Sequence, residues 1–538
     1  MDQKDTTQHI EQGQEAPKPD NGQSQAGDNQ TVWQVVWEKR MAVLYCLCLS
    51  LGPIAYGFDM IIISLVTAMP AFQLNFGDPD GSGMYILPAM WLSLWTSMIS
   101  VGVMAGALAT GYICDHFGSR IAVLLGCLVS IAGAMVCTFS DHSGGLELRR
   151  VVFLIGKMVL GLGLGFMLPA SQTYISEVSP MRVRGPLLSS FTMFVVIGQV
   201  IAVVSVFTRT DILGAISYQA SLTHNLLFAI EAVPAVLTII CATIAPESPT
   251  TLLRASKHRQ ATAAYARLYP DEDCTAGVQR IQDSLDHERA QRAASQQDQS
   301  RLIDCFRGTD FRRTRIVIWA NMLQSFVGVA MIANAAYFMQ LGGLSAKSSL
   351  SVITASLCLA IPAILISWYA MSIMGWRTIL LWSTGVIAVL WFATGVAGCF
   401  PGSSTALWAV GILIVVVNFF FGLGVGSVYP VISGATSTLR LRAKAQSIGF
   451  FAQFLFSWVF TYAVPYMYST DEANLGGKVG FIFGGLSALA FAVLFVEVPE
   501  IRGRTVEELD WLFERRIPTR GFVGLECGGA SGGEGESV

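Results

Sequence analysis

The side chains best suited to chemistry are three charges set in apolar surroundings: Asp59 in YGFDM, Lys157 in LIGKM and Glu231 in AIEAVPA. Ionised groups in a hydrocarbon core are expensive and are expected to find one another. Each lies about seven or eight residues from the outer end of its apolar run, roughly 10–12 Å deep at the helical rise of ~1.5 Å per residue. Equal depth allows contact. A carboxylate beside an ammonium in that setting has two readings. It is a proton carrier whose protonation frees the cation, or a static pair that holds helices together.

A second set of charges recurs along the chain. GYICDHFGSR supplies Asp115, Gly118 and Arg120, YISEVSPMRVRG supplies Glu177, Arg182 and Arg184, and PESP supplies Glu247. Later, MGWR supplies Gly375 and Arg377, LRLRAK supplies Arg440 and Arg442, and VPEIRGRT supplies Glu500. The separations repeat: 66 residues from Gly118 to Arg184 against 67 from Gly375 to Arg442, and 129 against 125 to the two glutamates. Such duplication is the sequence mark of transporter folds. Charges at helix ends can pair across one face and separate when that face opens. Exposed pairs worth ~0–1 kcal/mol suit a latch that must break. They can equally be charges that only set topology. The second copy has Ser372 and Ala435 where the first has Asp115 and Glu177, so Arg377 and Arg442 are expected to turn to Glu500 or to Glu247.

These residues must be held by long apolar elements. The chain has 538 residues, 53% hydrophobic and 13% charged, against about 25% charged in soluble domains. Runs of the ~20 apolar residues needed to cross a bilayer centre on 43–66, 88–113, 121–140, 150–173, 187–208 and 223–245, then on 315–339, 349–371, 378–399, 406–433, 446–468 and 479–497. Of the 34 Lys and Arg, only Arg149, Arg150, Arg209, Lys347 and Lys478 fall in the loops of one side, with Lys157 inside a span. The positive-inside rule therefore places both termini in the cytosol. Residues 1–40 read as a disordered cytosolic tail without signal-peptide features. Residues 41–245 and 315–498 form two six-helix bundles, 246–314 a mixed-charge helical linker bridging them, and 499–538 a cytosolic C-terminal tail. The 11 cysteines contain no CxxC pair and mostly sit in apolar runs, where they act as small hydrophobes. No metal, cofactor, nucleic acid or enzymatic nucleophile is expected.

Taken jointly, the Gly118 and Glu177 segments, PESP and PEIRGRTVEELD resemble the signature set of the sugar-porter branch of the major facilitator superfamily across 45–518. DCFRGTDFRRT, STLRLRAK and GGKVGFIFGG look most like fungal α-glucoside permeases. The resemblance implies an all-α integral membrane protein of the major facilitator fold, with twelve transmembrane helices in two six-helix bundles. It implies alternating access, a small-molecule substrate, a proton as partner and the plasma membrane as location. Asp59 then takes the place of the proton acceptor and Lys157 that of its basic partner, with Glu231 a weaker candidate. His116 stands where the family usually has Arg.

The same resemblance locates a substrate pocket and weakens it. The seventh-span motif QQxxGxN reads QSFVGVA, keeping Gln324 and Gly328 but with Ser325 and Ala330 replacing amides. Thr192 replaces an amide in the fifth span, where Gln199 is kept, and the tenth-span GPVxW/Y reads GSVYP, losing its aromatic at the usual place. Phe450, Phe451, Phe454, Phe456, Trp458 and Phe460 occupy a stretch where the permeases have asparagines among them. Those rings are either a pocket wall or packing and lipid-facing groups. Each hydroxyl buried without a partner costs about 1–3 kcal/mol, so a less polar secondary metabolite competes with a sugar as cargo. A nutrient sensor with a transporter fold is the alternative function.

Overall fold

The computed structural model describes residues 32–66, 70–79, 85–180, 182–212, 221–294, 302–335, 339, 346–400, 404–438, 441–468, 475–504 and 506–522. Arg440, residues 1–31 of the N-terminal tail and residues 505 and 523–538 of the C-terminal tail lie outside the described residues. Twelve helices are long and apolar enough to cross a bilayer: Arg40–Ile63, Met90–Phe117, Ser119–Thr138, Leu146–Val178, Arg184–Ser205 and Leu227–Ile244, then Gly308–Ala333, Ser351–Ile373, Trp376–Ala397, Thr405–Thr436, Arg442–Val464 and Gly476–Glu497. They are called spans 1 to 12 below. Two boundaries differ from expectation. Val32–Glu38 is helical, so the predicted unstructured stretch does not reach residue 40, and span 7 begins at Gly308 rather than 315. Among the described residues the only sheet is a two-residue antiparallel pairing, Asp78–Pro79 with Tyr85–Ile86.

Glycine sets how closely the helices approach. Spans 2 and 4 cross where a Cβ on Gly106 would lie 2.8 Å from the Cα of Gly165, and the converse is equally tight. Without a hydrophobic drive between helices in lipid, such close backbone contact and the hydrogen bonds it permits supply the association. Thr110 uses the gap, its hydroxyl donating to the carbonyls of Gly106 (2.8 Å) and Gly165 (2.9 Å). The two bundles meet along a seam in which span 11 packs on span 2, and spans 8 and 10 pack on span 5.

The linker touches both bundles: its closing turn Leu302–Phe306 packs on the second, with Cys305 buried against Leu441 and Ile448. Its helices Pro249–Arg254, His258–Leu268 and Cys274–Ala294 are anchored to the first bundle. Tyr269 donates to the Val178 carbonyl (2.5 Å), Arg267 to that of Ile244 (2.7 Å), and Lys39 pairs with Glu272 at 2.8 Å. Leu268 and Tyr269 carry the docking into the main core, whereas Ala261 packs with Leu253 and Leu285 inside the linker itself. The face of the protein that carries this segment is termed the linker side.

Span 7 breaks at Gly328, which adopts φ +85° between the helices Gly308–Phe326 and Val329–Ala333. The Trp391 indole N–H donates to the Val327 carbonyl freed there (2.8 Å), and a Cβ on Gly328 would lie 2.8 Å from the Trp391 ring. Gly328→Ala therefore meets a left-handed backbone penalty of ~1–2 kcal/mol plus a ring clash. The purified variant should melt several degrees below the parent in a thermal unfolding scan, and an unchanged melting temperature would contradict this account.

Candidate functional site

Three spans converge on the buried charges. Asp59 comes from span 1, on the segment Pro53–Val66, Lys157 from span 4 and Glu231 from span 6. The Lys157 ammonium is paired with Asp59 Oδ1 and lies 3.7 Å from Glu231 Oε2, and none of the three side chains is more than 2% exposed. Phe228 and Phe153 cover the ammonium with ring centroids at 5.0 and 5.8 Å, within cation–π range. Among the described residues nothing else donates to the Glu231 carboxylate. One cation thus faces two carboxylates in a medium that penalises net charge. Such a group can hold or release a proton, with the lysine as the shared counter-ion.

Toward the linker side the bundles meet through aromatic rings. Tyr56 of span 1 lies edge-on to Phe454 of span 11 with centroids 5.4 Å apart. Phe191 of span 5 meets Tyr429 of span 10 at 6.5 Å and Phe450 at 5.9 Å. Tyr429 lies beside Gln324, whose Nε2 has no partner among the described residues. An aromatic is therefore present beside the kept amide, one position earlier than the family motif predicts. Phe456 instead packs on Phe326 (5.5 Å), and Phe460 on Phe483 (5.9 Å), inside the second bundle.

The remaining pocket candidates are placed otherwise. Thr192 donates across the seam to the Gly426 carbonyl. That carbonyl precedes Pro430 by four residues and so lacks its helical donor. The adjoining π-helical turn Phe421–Val425 further disturbs span 10, and Ser427 caps the Gly422 carbonyl there (2.6 Å). Ser325 is buried and its carbonyl accepts the Gly328 N–H at 3.2 Å, so Gly328 acts through its backbone. Gln199 is half-buried beside Met60 Sδ at 3.7 Å, within the first bundle.

The duplicated charges form two equivalent corners. Glu247 accepts the Arg120 N–H (3.3 Å) at the start of span 3, and Arg120 donates to the carbonyls of Ala242 and Thr243, both at 2.7 Å. Glu500 accepts the N–H groups of Trp376 (3.0 Å) and Arg377 (3.1 Å) at the start of span 9, and Arg377 donates to Phe495 O at 2.7 Å. Each glutamate caps a helix N-terminus, where negative charge is favoured. Glu500 is thus the acid next to Arg377, and both corners lie within their own bundle rather than across the face. Glu177 accepts from Ser248 (2.5 Å) and Thr251 (3.2 Å), while Arg184 turns to Ser179 at 3.3 Å.

Polar contacts do cross the seam on this side, among them the Trp368 indole N–H of span 8 donating to the Ser189 hydroxyl of span 5 at 3.0 Å. Arg442 donates to the Ser176 carbonyl (3.0 Å), and Lys444 is paired with Asp115. Lys444 escaped the sequence reading because its repeat mate carries no charge. The signal available was a cation two residues past Arg442, half a turn round the same helix end.

The Sugar (and other) transporter family matches residues 45–513. This chain belongs to that family. The transporter is similar to the MFS transporter fmqE of Aspergillus fumigatus, 28% identical over 91% of each chain. It is also similar to the General alpha-glucoside permease of Saccharomyces cerevisiae, 25% identical over 92% of this chain and 78% of that one. Among solved structures, the proton:xylose symporter XylE bound to 6-bromo-6-deoxy-D-glucose superposes with a TM-score of 0.76, at 21% identity, covering 89% of this chain and 100% of that one. The protein is a multi-pass membrane protein of the major facilitator fold and a secondary transporter of the sugar-porter type, and its solved neighbours are transporters rather than enzymes.

Burial pushes the Glu247 carboxyl up to about 7, partly offset by the N–H groups of Ser248 and Arg120, while Glu177 adds to the rise. A carboxyl raised on folding contributes stability that is full below its unfolded value near 4.5 and lost as pH rises through about 7. The melting temperature should therefore fall between pH 5 and 8 partly through this group, and Glu247→Gln should flatten that slope. An unaltered slope would exclude the assignment. For the crossing pair, a double-mutant cycle on Asp115→Ala and Lys444→Ala should give a coupling of about 0.5–3 kcal/mol in thermal unfolding, whereas simple additivity would show that the pair adds nothing.

Proposed function

We propose that this transporter carries a small organic solute by alternating access, coupled to a proton at the Asp59–Lys157–Glu231 triad. The observation that carries the reading is the imbalance of two buried carboxylates around one ammonium. A proton on the acid pair restores neutrality, and a proton on Asp59 releases Lys157. Glu231, 3.7 Å from the ammonium, offers the lysine a second partner when Asp59 lets go. The linker side is the cytosolic side, both termini are cytosolic, and the membrane is the plasma membrane. The excess of Lys and Arg on that side supports this orientation.

The cargo is less polar than a disaccharide. Gln324 offers one free amide donor beside Tyr429, Thr192 is committed to the Gly426 carbonyl, and the rings of Tyr56, Phe191, Phe450 and Phe454 line the seam between the bundles. A ligand with many hydroxyls would leave several unpaired at about 1–3 kcal/mol each. The likeness to a yeast α-glucoside permease supports a sugar or glucoside instead, and direct uptake distinguishes the two.

In proteoliposomes with an imposed proton gradient, a solute taken from a panel of sugars and aromatic metabolites should accumulate above equilibrium. Asp59→Asn should abolish that accumulation while solute exchange at equilibrium continues. Unchanged uphill accumulation would sink proton coupling through Asp59. In the same vesicles labelled maltose should enter at the background rate of empty liposomes, and saturable maltose uptake would overturn the low-polarity cargo.

A further inference from the structure

The triad lies directly beneath a cluster of rings on the side opposite the linker. Phe72 and Phe76 belong to a short helix, Pro70–Phe76, between spans 1 and 2. They stack on each other at 4.5 Å and meet Trp95 at 5.7 and 5.8 Å, and Phe153 at 5.7 and 5.6 Å. Phe153 in turn lies 5.2 Å from Phe228. All five rings are essentially inaccessible. Two of them, Phe153 and Phe228, are the rings that cover the Lys157 ammonium. The cluster is therefore the roof of the charged site.

A short helix of this kind has too few backbone bonds to hold its own position. What fixes it is Arg150, at the outer end of span 4 and only 2% exposed. Its Nε donates to the Phe76 carbonyl at 2.9 Å, its guanidinium pairs with Asp78 at 3.0 Å and Glu147 at 2.8 Å, and its own carbonyl accepts the Trp95 indole N–H at 3.2 Å. One buried guanidinium thus joins the helix to the strand pairing at Asp78, while the backbone carbonyl of the same residue holds a roof tryptophan. Seven residues separate it from Lys157 on the same helix, so pin and protected cation are rigidly related.

We infer that Arg150 is a positioning residue that keeps the aromatic roof closed over the Asp59–Lys157–Glu231 triad. This inference rests on the proton-coupled reading of the triad. A carrier that couples must expose its proton site to one side at a time. A channel through the top of the first bundle would stay open to the outer side in every state. With the linker side open, protons would then cross without cargo. The roof removes that route, leaving the triad reachable only from the seam between the bundles. Besides Asp59, Lys157 and Glu231, the ionisable groups facing this region are Cys137 of span 3, within electrostatic reach of all three, and Tyr56 beside Asp59.

The test uses the full chain in liposomes carrying an internal pH dye, with a potassium diffusion potential and no solute. Arg150→Gln should raise the substrate-free proton flux several-fold, Arg150→Lys should restore most of the seal, and Asp59→Asn added to Arg150→Gln should suppress the leak. A second readout does not depend on coupling. Cys137, 1% exposed and donating to the Phe153 carbonyl at 3.8 Å, should resist an impermeant maleimide applied from the outer side in a chain retaining it as the only cysteine. It should become reactive with Arg150→Gln, or with the milder Asp78→Asn. Monodisperse Arg150→Gln protein with neither labelling nor leak overturns the inference. Labelling without leak upholds the roof and removes the proton reading instead.

Discussion

Two carboxylates and one ammonium occupy a space from which solvent is excluded, and much of the first bundle is arranged around that imbalance. The groups come from spans 1, 4 and 6, so each fixes the rotation of its helix about its axis. Turning any one of them by a residue would leave a charge facing lipid, at a cost no packing contact nearby could offset. The rings above the ammonium serve the same constraint, giving the cation a polarisable face where no further oxygen is available. A site that balances only after taking up a small ion is suited to a machine driven by that ion.

The linker side is organised on a different principle. Glu247 and Glu500 repeat one another closely, each capping the first turn of the third helix of its half and sitting beside an arginine that reaches the carbonyls ending the sixth. These corners make each bundle rigid. The polar crossing contacts are unlike each other: Asp115 with Lys444, Arg442 with a bare carbonyl, an indole on a serine hydroxyl, and a threonine on a carbonyl orphaned by proline. Rigid halves whose polar crossing contacts are dissimilar can rotate past one another without either half deforming. The duplication thus builds the bodies, and the seam is where the two copies have diverged.

Much of this could be read from residue order. Span count follows from apolar length, and the common depth of Asp59, Lys157 and Glu231 follows from counting residues at the helical rise. The corners were visible as a repeat because capping a helix start demands the same acid at the same spacing in both halves. The seam was not visible. Lys444 has no counterpart to betray it, and Tyr429 is displaced by one position from the motif that would have flagged it. Thr192 looked like a pocket residue because nothing local says that a carbonyl more than two hundred residues away lacks a donor. Mixed charge along the linker helices marks them as solvated, but it does not disclose which surface their few alanines and leucines will choose. Contacts between distant segments depend on how two bodies meet, and sequence periodicity describes each body alone.

That the linker helices sit on the first bundle while the closing turn sits on the second has a thermodynamic consequence. The linker keeps the halves in one chain, as a tether does. Tethering two modules supplies an effective concentration in the millimolar range, so a contact surface worth only about 4 kcal/mol, a Kd of ~1 mM, already keeps the halves together half of the time. A surface of that modest strength suffices in a tethered pair. Weak adhesion is then an asset, since a joint that is remade in every cycle must never bind tightly enough to become a resting place.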